Sequence, residues 1–170
     1  MSRTLVAVAF AAVIAIAAGA ARAESPGTDL TAALRAGGYV LLVRPDAETG
    51  EPAERSALVL GPTARTQART VGAALAALRI PIDTVLASTD ARSLTTARLA
   101  FEDRNPAIGS AAARGWVAPP RPGANTVVVA PGLPGVKAPA GSVVVLAQDA
   151  GGYRVVRVID AVELAGMTSY

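Results

Sequence analysis

The chain has 170 residues, 52% of them apolar, with 16 glycines, 12 prolines and neither cysteine nor histidine. That length suits one domain with a core of its own, and 17% charged residues on so apolar a background exclude intrinsic disorder. Without His or Cys the chain cannot build a thiol-dependent hydrolase, a structural zinc centre, a His-ligated haem or a Ser-His-Asp triad.

The N-terminus reads as a secretory signal peptide over residues 1–23. Arg3 gives a positive start, Leu5 to Ala21 is an unbroken run of Ala, Val, Ile, Leu, Phe and Gly, and Ala21-Arg22-Ala23 is a small-x-small cleavage site. An uncleaved membrane anchor is the alternative, because the run approaches the length of about 20 residues needed to span a bilayer. Cleavage after Ala23 sends a domain of residues 24–170 to the periplasm or the medium, with no membrane attachment. Loss of Arg3 and Arg22 leaves 14 basic groups against 13 acidic ones, a net charge of +1. That balance gives no electrostatic support to a nucleic-acid partner.

The first element of the mature chain is a short helix from a cap at Thr28 through Leu34, stopped by Gly37-Gly38. Tyr39 to Val43 is apolar on both faces, as a central strand covered on each side must be. Asp46 to Gly61 is polar and broken by Pro and Gly. Ala64, Ala68, Val71, Leu75 and Leu78 then recur at helical spacing, and Pro81 closes that helix. Asp83 to Ala87 is a second strand, and the hydroxyls of Ser88 and Thr89 are placed to cap a helix that turns Leu94, Ala97 and Phe101 inward.

Asn105 to Ala124 has no period and reads as loop. Three Val- and Ile-rich strands follow, Thr126 to Ala130, Ser142 to Ala147 and Tyr153 to Ile159, separated by Pro-Gly turns and by Gly151-Gly152. Alternation of strands and helices predicts an α/β fold, a three-layer sandwich with a mostly parallel central sheet flanked by helices.

These runs resemble the histidine phosphatase superfamily, the phosphoglycerate mutase-like proteins, and above all its short secreted members. Tyr39 to Arg44 resembles the first strand, which in the family leads into an Arg-His signature; Leu60 and Gln67-Ala68 resemble the helix after it. Ile80 to Ser88 with Arg92 and Thr96-Ala97 resembles the second strand and its Ser-x-x-x-Arg-x-x-x-Thr-Ala helix. Asn125 to Ala130 resembles the strand presenting the second His, and Ser142 to Ile159 the closing strands.

The departures fall on the chemistry. In the family one His accepts the phosphoryl group while a second His and two arginines hold its oxygens. Here Pro45 follows Arg44 and Pro131 follows Ala130, and proline offers neither a nucleophile nor a titratable group. The resemblance therefore implies a pseudophosphatase with no catalytic residues and no cofactor. Arg44, Arg92, Ser88 and Thr89 would be left to hold a small phosphorylated or other oxyanion ligand, helped by amides at a helix N-terminus. An envelope protein partner at the remodelled rim is the other expectation. The bland reading pairs Arg44 and Arg92 with Asp46, Glu48 or Asp90.

Other readings compete at single residues. Asp46-Ala47-Glu48-Thr49 resembles the Asp-x-Asp-x-Thr of Mg²⁺-dependent phosphatases, which would make Asp46 a substituted nucleophile acting on a phosphorylated small molecule or protein. Glu102 and Asp103 are weak candidates for the family's acidic proton donor. Lys137, the only lysine, and Ser142 could be imagined as a Ser-Lys dyad, although a solvated loop lysine is the plainer reading. Gly132 to Lys137 lacks P-loop spacing, and no Gly-x-Gly-x-x-Gly occurs. Trp116 is expected to bury against the sheet. No metal ligand set is visible.

Overall fold

The computed structural model describes residues 29–46, 60–110, 117–149 and 152–169. The expected signal peptide, Thr28, Glu48, Thr49 and Trp116 lie outside the described residues.

Helix α1 (Leu30–Ala36) is capped by Asp29, whose Oδ1 accepts from the Thr31 amide at 2.9 Å. The cap is thus Asp29 rather than Thr28, since a carboxylate at this position already satisfies an orphan amide of the first turn. Gly37 makes the exit at φ 77, and a Cβ there would lie 2.3 Å from the Ala124 nitrogen, so both conformation and space require glycine. Strand β1 (Tyr39–Val43) follows.

Helix α2 (Pro62–Ala77) begins on Pro62, where the missing N–H costs nothing, and buries Ala64, Ala68, Val71 and Leu75 as their spacing requires. It ends with Arg79 in the left-handed region (φ 54), which lets the Ile80 amide reach back to the Leu75 carbonyl at 3.0 Å. Strand β2 (Ile82–Ser88) leads to helix α3 (Ala91–Ala100).

The segment expected to be loop holds a three-residue strand, β3 (Ala107–Gly109), which exists because Leu86 to Ser88 offer it a parallel ladder. Strands β4 (Asn125–Val129), β5 (Ser142–Asp149) and β6 (Gly152–Asp160) match the three Val-rich runs within one or two residues at each end. A further helix, α4 (Ala161–Gly166), was not expected. Asp160 caps it by accepting from the Glu163 amide at 2.7 Å, and a short 3-10 turn (Met167–Ser169) closes the described chain.

The six strands form one sheet in the order β3-β2-β4-β1-β5-β6. Strand β1 is parallel to β4, β4 to β2 and β2 to β3, while β5 runs antiparallel to both β1 and β6. The mostly parallel sheet flanked by helices is therefore present, with β5 alone reversed. Leu34, Val71, Leu75, Ala97, Phe101 and Leu164 bring all four described helices to one face. On the other face Val117, Leu133, Val136 and Ala138 cover Val40, Leu42, Val128, Val144 and Leu146.

Asn125, fully buried at the amino end of β4, ties three segments together. Its amide donates to the carbonyls of Leu34 at 2.8 Å and Pro81 at 2.9 Å, and its Oδ1 accepts from the Tyr39 amide at 3.1 Å. The sheet and helix α1 are thereby locked at one end, and the opposite, carboxyl end is where the candidate site forms.

Candidate anion site

Register sets the site. Val43 pairs with Val129, and Val129 with Ala87, so Arg44, Ala130 and Ser88 emerge level at the carboxyl ends of three adjacent parallel strands. Ligands of open α/β sheets bind at such an edge, where one connection turns left and the next right.

Arg44 is held at both main-chain groups: its amide donates to the Ser142 carbonyl at 2.9 Å and its carbonyl accepts from Gly141 at 3.1 Å. Its Nε donates to the carbonyl of Pro131 at 2.7 Å, which joins the end of β1 to the residue after β4. Arg92 donates from a terminal nitrogen to the carbonyl of Asp46, two residues beyond Arg44. Arg92 thus bears on the segment that follows Arg44, while Arg44 itself bears on the residue after β4.

Among the described residues neither arginine pairs with a carboxylate. The ion pairs among the described residues are Arg121 with Asp83 and Arg157 with Glu163, so the expected pairing with Asp46 or Asp90 is not made, and Glu48 is not described. Main-chain carbonyls brace both side chains without neutralising them. Each guanidinium carries five donors, and a single side-chain hydrogen bond to a carbonyl leaves most of them available. The Arg92 Nε is buried with no hydrogen-bond partner, and so is Thr96 Oγ1, one turn further along α3. Buried donors without acceptors are expensive.

The hydroxyls expected to cap α3 do not do so. Asp90 is the cap, and its Oδ1 accepts from the Ser93 amide at 2.9 Å. A carboxylate outcompetes Ser88 and Thr89 because it stands directly before the first helical residue and carries the charge that the helix dipole favours. The helix N-terminus is therefore already occupied by the protein's own anion, which corrects the expectation that its amides would face a ligand. Burial pushes the Asp90 carboxyl up, but the Ser93 amide, with the Ser93 and Ser88 hydroxyls beside the carboxylate, outweighs burial and holds it below the ordinary value. Ser88 is buried at the end of β2 and Thr89 is exposed beyond it.

The remaining candidates separate. Asp46 is half-buried, and a Cβ on Gly141 would lie 3.3 Å from its Oδ1, so the carboxylate stands over the turn before β5. Pro45 is half-buried and Pro131 exposed. Glu102 and Asp103 line a cleft of about 710 Å³ at the other end of the sheet, beside Arg104, which donates to the Ile82 carbonyl at 2.6 Å. That placement removes them as proton donors to a ligand at Arg44. Ser142 gives its hydroxyl to the Pro139 carbonyl at 2.7 Å and Lys137 is exposed, so no Ser-Lys dyad forms. No cluster of three carboxylates that could hold a metal ion occurs among the described residues. Sequence reasoning named Asp90 only as an ion-pair partner and missed both its role as cap and Gly141; an Asp directly before the first helical residue was a readable cap signal.

An α/β sheet of this order, with an arginine at the end of its first strand and another in the first turn of the helix after its second, has the phosphoglycerate mutase-like fold. Among solved structures the chain is similar to the protein histidine phosphatase SixA complexed with tungstate, at 12% identity and a TM-score of 0.51 over 74% of this chain and 99% of that one. It is also similar to a protein assigned as the phosphohistidine phosphatase SixA of Agrobacterium tumefaciens, at 20% identity and a TM-score of 0.49 over 71% and 96%. The likeness is one of fold. No protein-family model and no curated protein sequence matches the chain.

Proposed function

We propose that this protein is an exported, catalytically silent relative of the histidine phosphatases that binds a phosphate-like oxyanion between Arg44 and Arg92. The observation that carries the binding is the buried Nε of Arg92, without a hydrogen-bond partner, at the same sheet edge as Arg44, whose guanidinium pairs with no carboxylate among the described residues. Silence rests on the absence of any histidine and on the prolines at positions 45 and 131. Ser88 and Thr89 add hydroxyls at the same sheet edge. Support also comes from the fold neighbour solved with tungstate, a tetrahedral oxyanion.

Thermal unfolding of the purified chain with and without phosphate, sulfate or tungstate tests this reading. An anion at about 100 times its dissociation constant adds about 2.7 kcal/mol, which moves the midpoint by several degrees. The shift should vanish in Arg44→Ala/Arg92→Ala. An unchanged midpoint in the parent protein would reduce both arginines to scaffold. Mg²⁺-dependent phosphatase activity lost in Asp46→Asn would replace binding by catalysis.

A further inference from the structure

The two edges of the sheet are built differently. Strand β3 has three residues, too few to offer a partner much ladder, whereas β6 has nine and, among the described residues, pairs on one side only, with β5. Its outer row of main-chain donors and acceptors faces away from the sheet.

Side chains along β6 are sorted by face. Tyr153, Val155 and Val158 stand opposite Gln148, Leu146 and Val144, on the face that carries the second core cluster. Arg154 and Arg157 stand opposite Ala147 and Val145, on the helical face, and both are exposed. Val155 and Val158 are 41% and 38% exposed, unusual for valines in a strand whose neighbour is buried. Arg157 pairs with Glu163 at 2.8 Å, and Arg154 has no ion pair among the described residues.

We infer that β6 is a docking edge for an extended segment of another protein, one that presents apolar side chains on one face and acidic side chains on the other. Such a strand would extend the sheet by main-chain pairing, cover Val155 and Val158, and meet Arg154 and Arg157 with carboxylates. Charge excludes a second copy as the occupant. Antiparallel self-pairing of β6 would gather Arg154 and Arg157 of both chains on one face, with like charges side by side. The irregularity in the ladder between Val145 and Leu146, which leaves Val156 unpaired, twists the edge and discourages indiscriminate pairing in the same way. Arginine and bulge together thus select the partner by penalising wrong ones.

A fluorescein-labelled peptide of eight residues alternating Val and Glu, and its counterpart alternating Val and Lys, provide the test on the full chain, read by anisotropy and by amide hydrogen exchange over residues 152–160. The Glu peptide should bind and slow exchange in β6, and Arg154→Glu/Arg157→Glu should weaken it by about tenfold while gaining affinity for the Lys peptide. Val155→Thr, which keeps the β-branch and removes apolar surface, should weaken both while leaving the melting temperature near that of the parent. Absence of binding by the Glu peptide, binding indifferent to charge reversal, or protection of β6 that rises with the concentration of the chain alone would overturn the inference. The last outcome would assign the edge to a second copy. None of these readouts involves Arg44 or Arg92, so the anion site stands or falls separately.

Discussion

Arg44 donates its Nε to the carbonyl of Pro131, 87 residues away, at 2.7 Å. The two residues stand at the ends of neighbouring parallel strands, so one hydrogen bond ties the end of β1 to the residue after β4. Arg44→Ala should cost about 1 kcal/mol, the net worth of a single bond to a half-exposed side chain, and lower the melting temperature by a few degrees. The same change should abolish stabilisation by sulfate or tungstate, an effect larger than the stability change itself. A variant that melts as expected yet still responds fully to the anion would place the ligand elsewhere.

Asn125 performs the corresponding task at the opposite end of the sheet, and nearly all of its value is structural. Its side chain makes three hydrogen bonds from a fully buried position, two of them to carbonyls that each accept one further main-chain N–H, from Gly37 and from Asn125 itself. Asn125→Ala removes all three bonds and leaves a cavity among buried main-chain polar groups, with an expected loss of about 3 kcal/mol. The urea midpoint should fall with little change in slope.

Much of this fold was legible because β1, β4, β5 and β6 are Val- and Leu-rich runs between Gly and Pro turns, and because the apolar stripe from Ala64 to Leu78 has a helical period. What was not legible depended on partners distant in sequence. Ala107 to Gly109 has no strand pattern of its own and is a strand only because β2 has a free edge. Helix α4 was announced by Asp160 and Glu163, a cap spacing that was there to be read, but its six residues show less than two turns of period. The sequence put Arg44 at the carboxyl end of the first strand and Arg92 in the first turn of the helix after the second, and both stand there. Their actual acceptors, the carbonyls of Pro131 and Asp46, could not be foreseen, because every residue has a carbonyl and only the fold brings a particular one within reach.

Gly72 marks a close approach of α2 to the end of α3. A Cβ there would lie 1.9 Å from the Ala100 carbonyl oxygen, which belongs to backbone and cannot rotate away. Gly72→Ala improves helix propensity by about 1 kcal/mol, but the steric cost of separating the helices exceeds that gain. Net destabilisation of about 1–3 kcal/mol is expected, and denaturant unfolding would show it as a lower midpoint. A stabilised variant would mean that the two helices are further apart in solution.

Arg79 gives the opposite sign. It holds φ 54 at the end of α2 while exposed, so its side chain adds little that offsets the backbone cost. Arg79→Gly should raise stability by about 0.5–1 kcal/mol, part of the relief being returned to the more flexible unfolded chain, and Arg79→Ala should not. The comparison of the two variants by thermal unfolding separates left-handed strain from any contribution of the charge.

Asp90 links stability and binding at the site. Its carboxyl is held below the ordinary value of 3.8, so the folded protein binds that proton less readily than the unfolded chain does. The associated stability is therefore complete above the ordinary value and disappears as the pH falls below it, through the lowered folded value. Asp90→Asn retains a capping oxygen of equal quality but removes this acid-side titration. Unfolding midpoints of the parent and the variant, followed from neutral pH into acid, should converge or cross only below the ordinary carboxylate range. The same substitution removes a negative charge two residues from Arg92, where it opposes any bound anion by about 1 kcal/mol. Sulfate should accordingly bind Asp90→Asn about fivefold more tightly at neutral pH. Unchanged affinity would place the anion beyond the reach of α3's first turn, and would leave Arg44 as its principal contact.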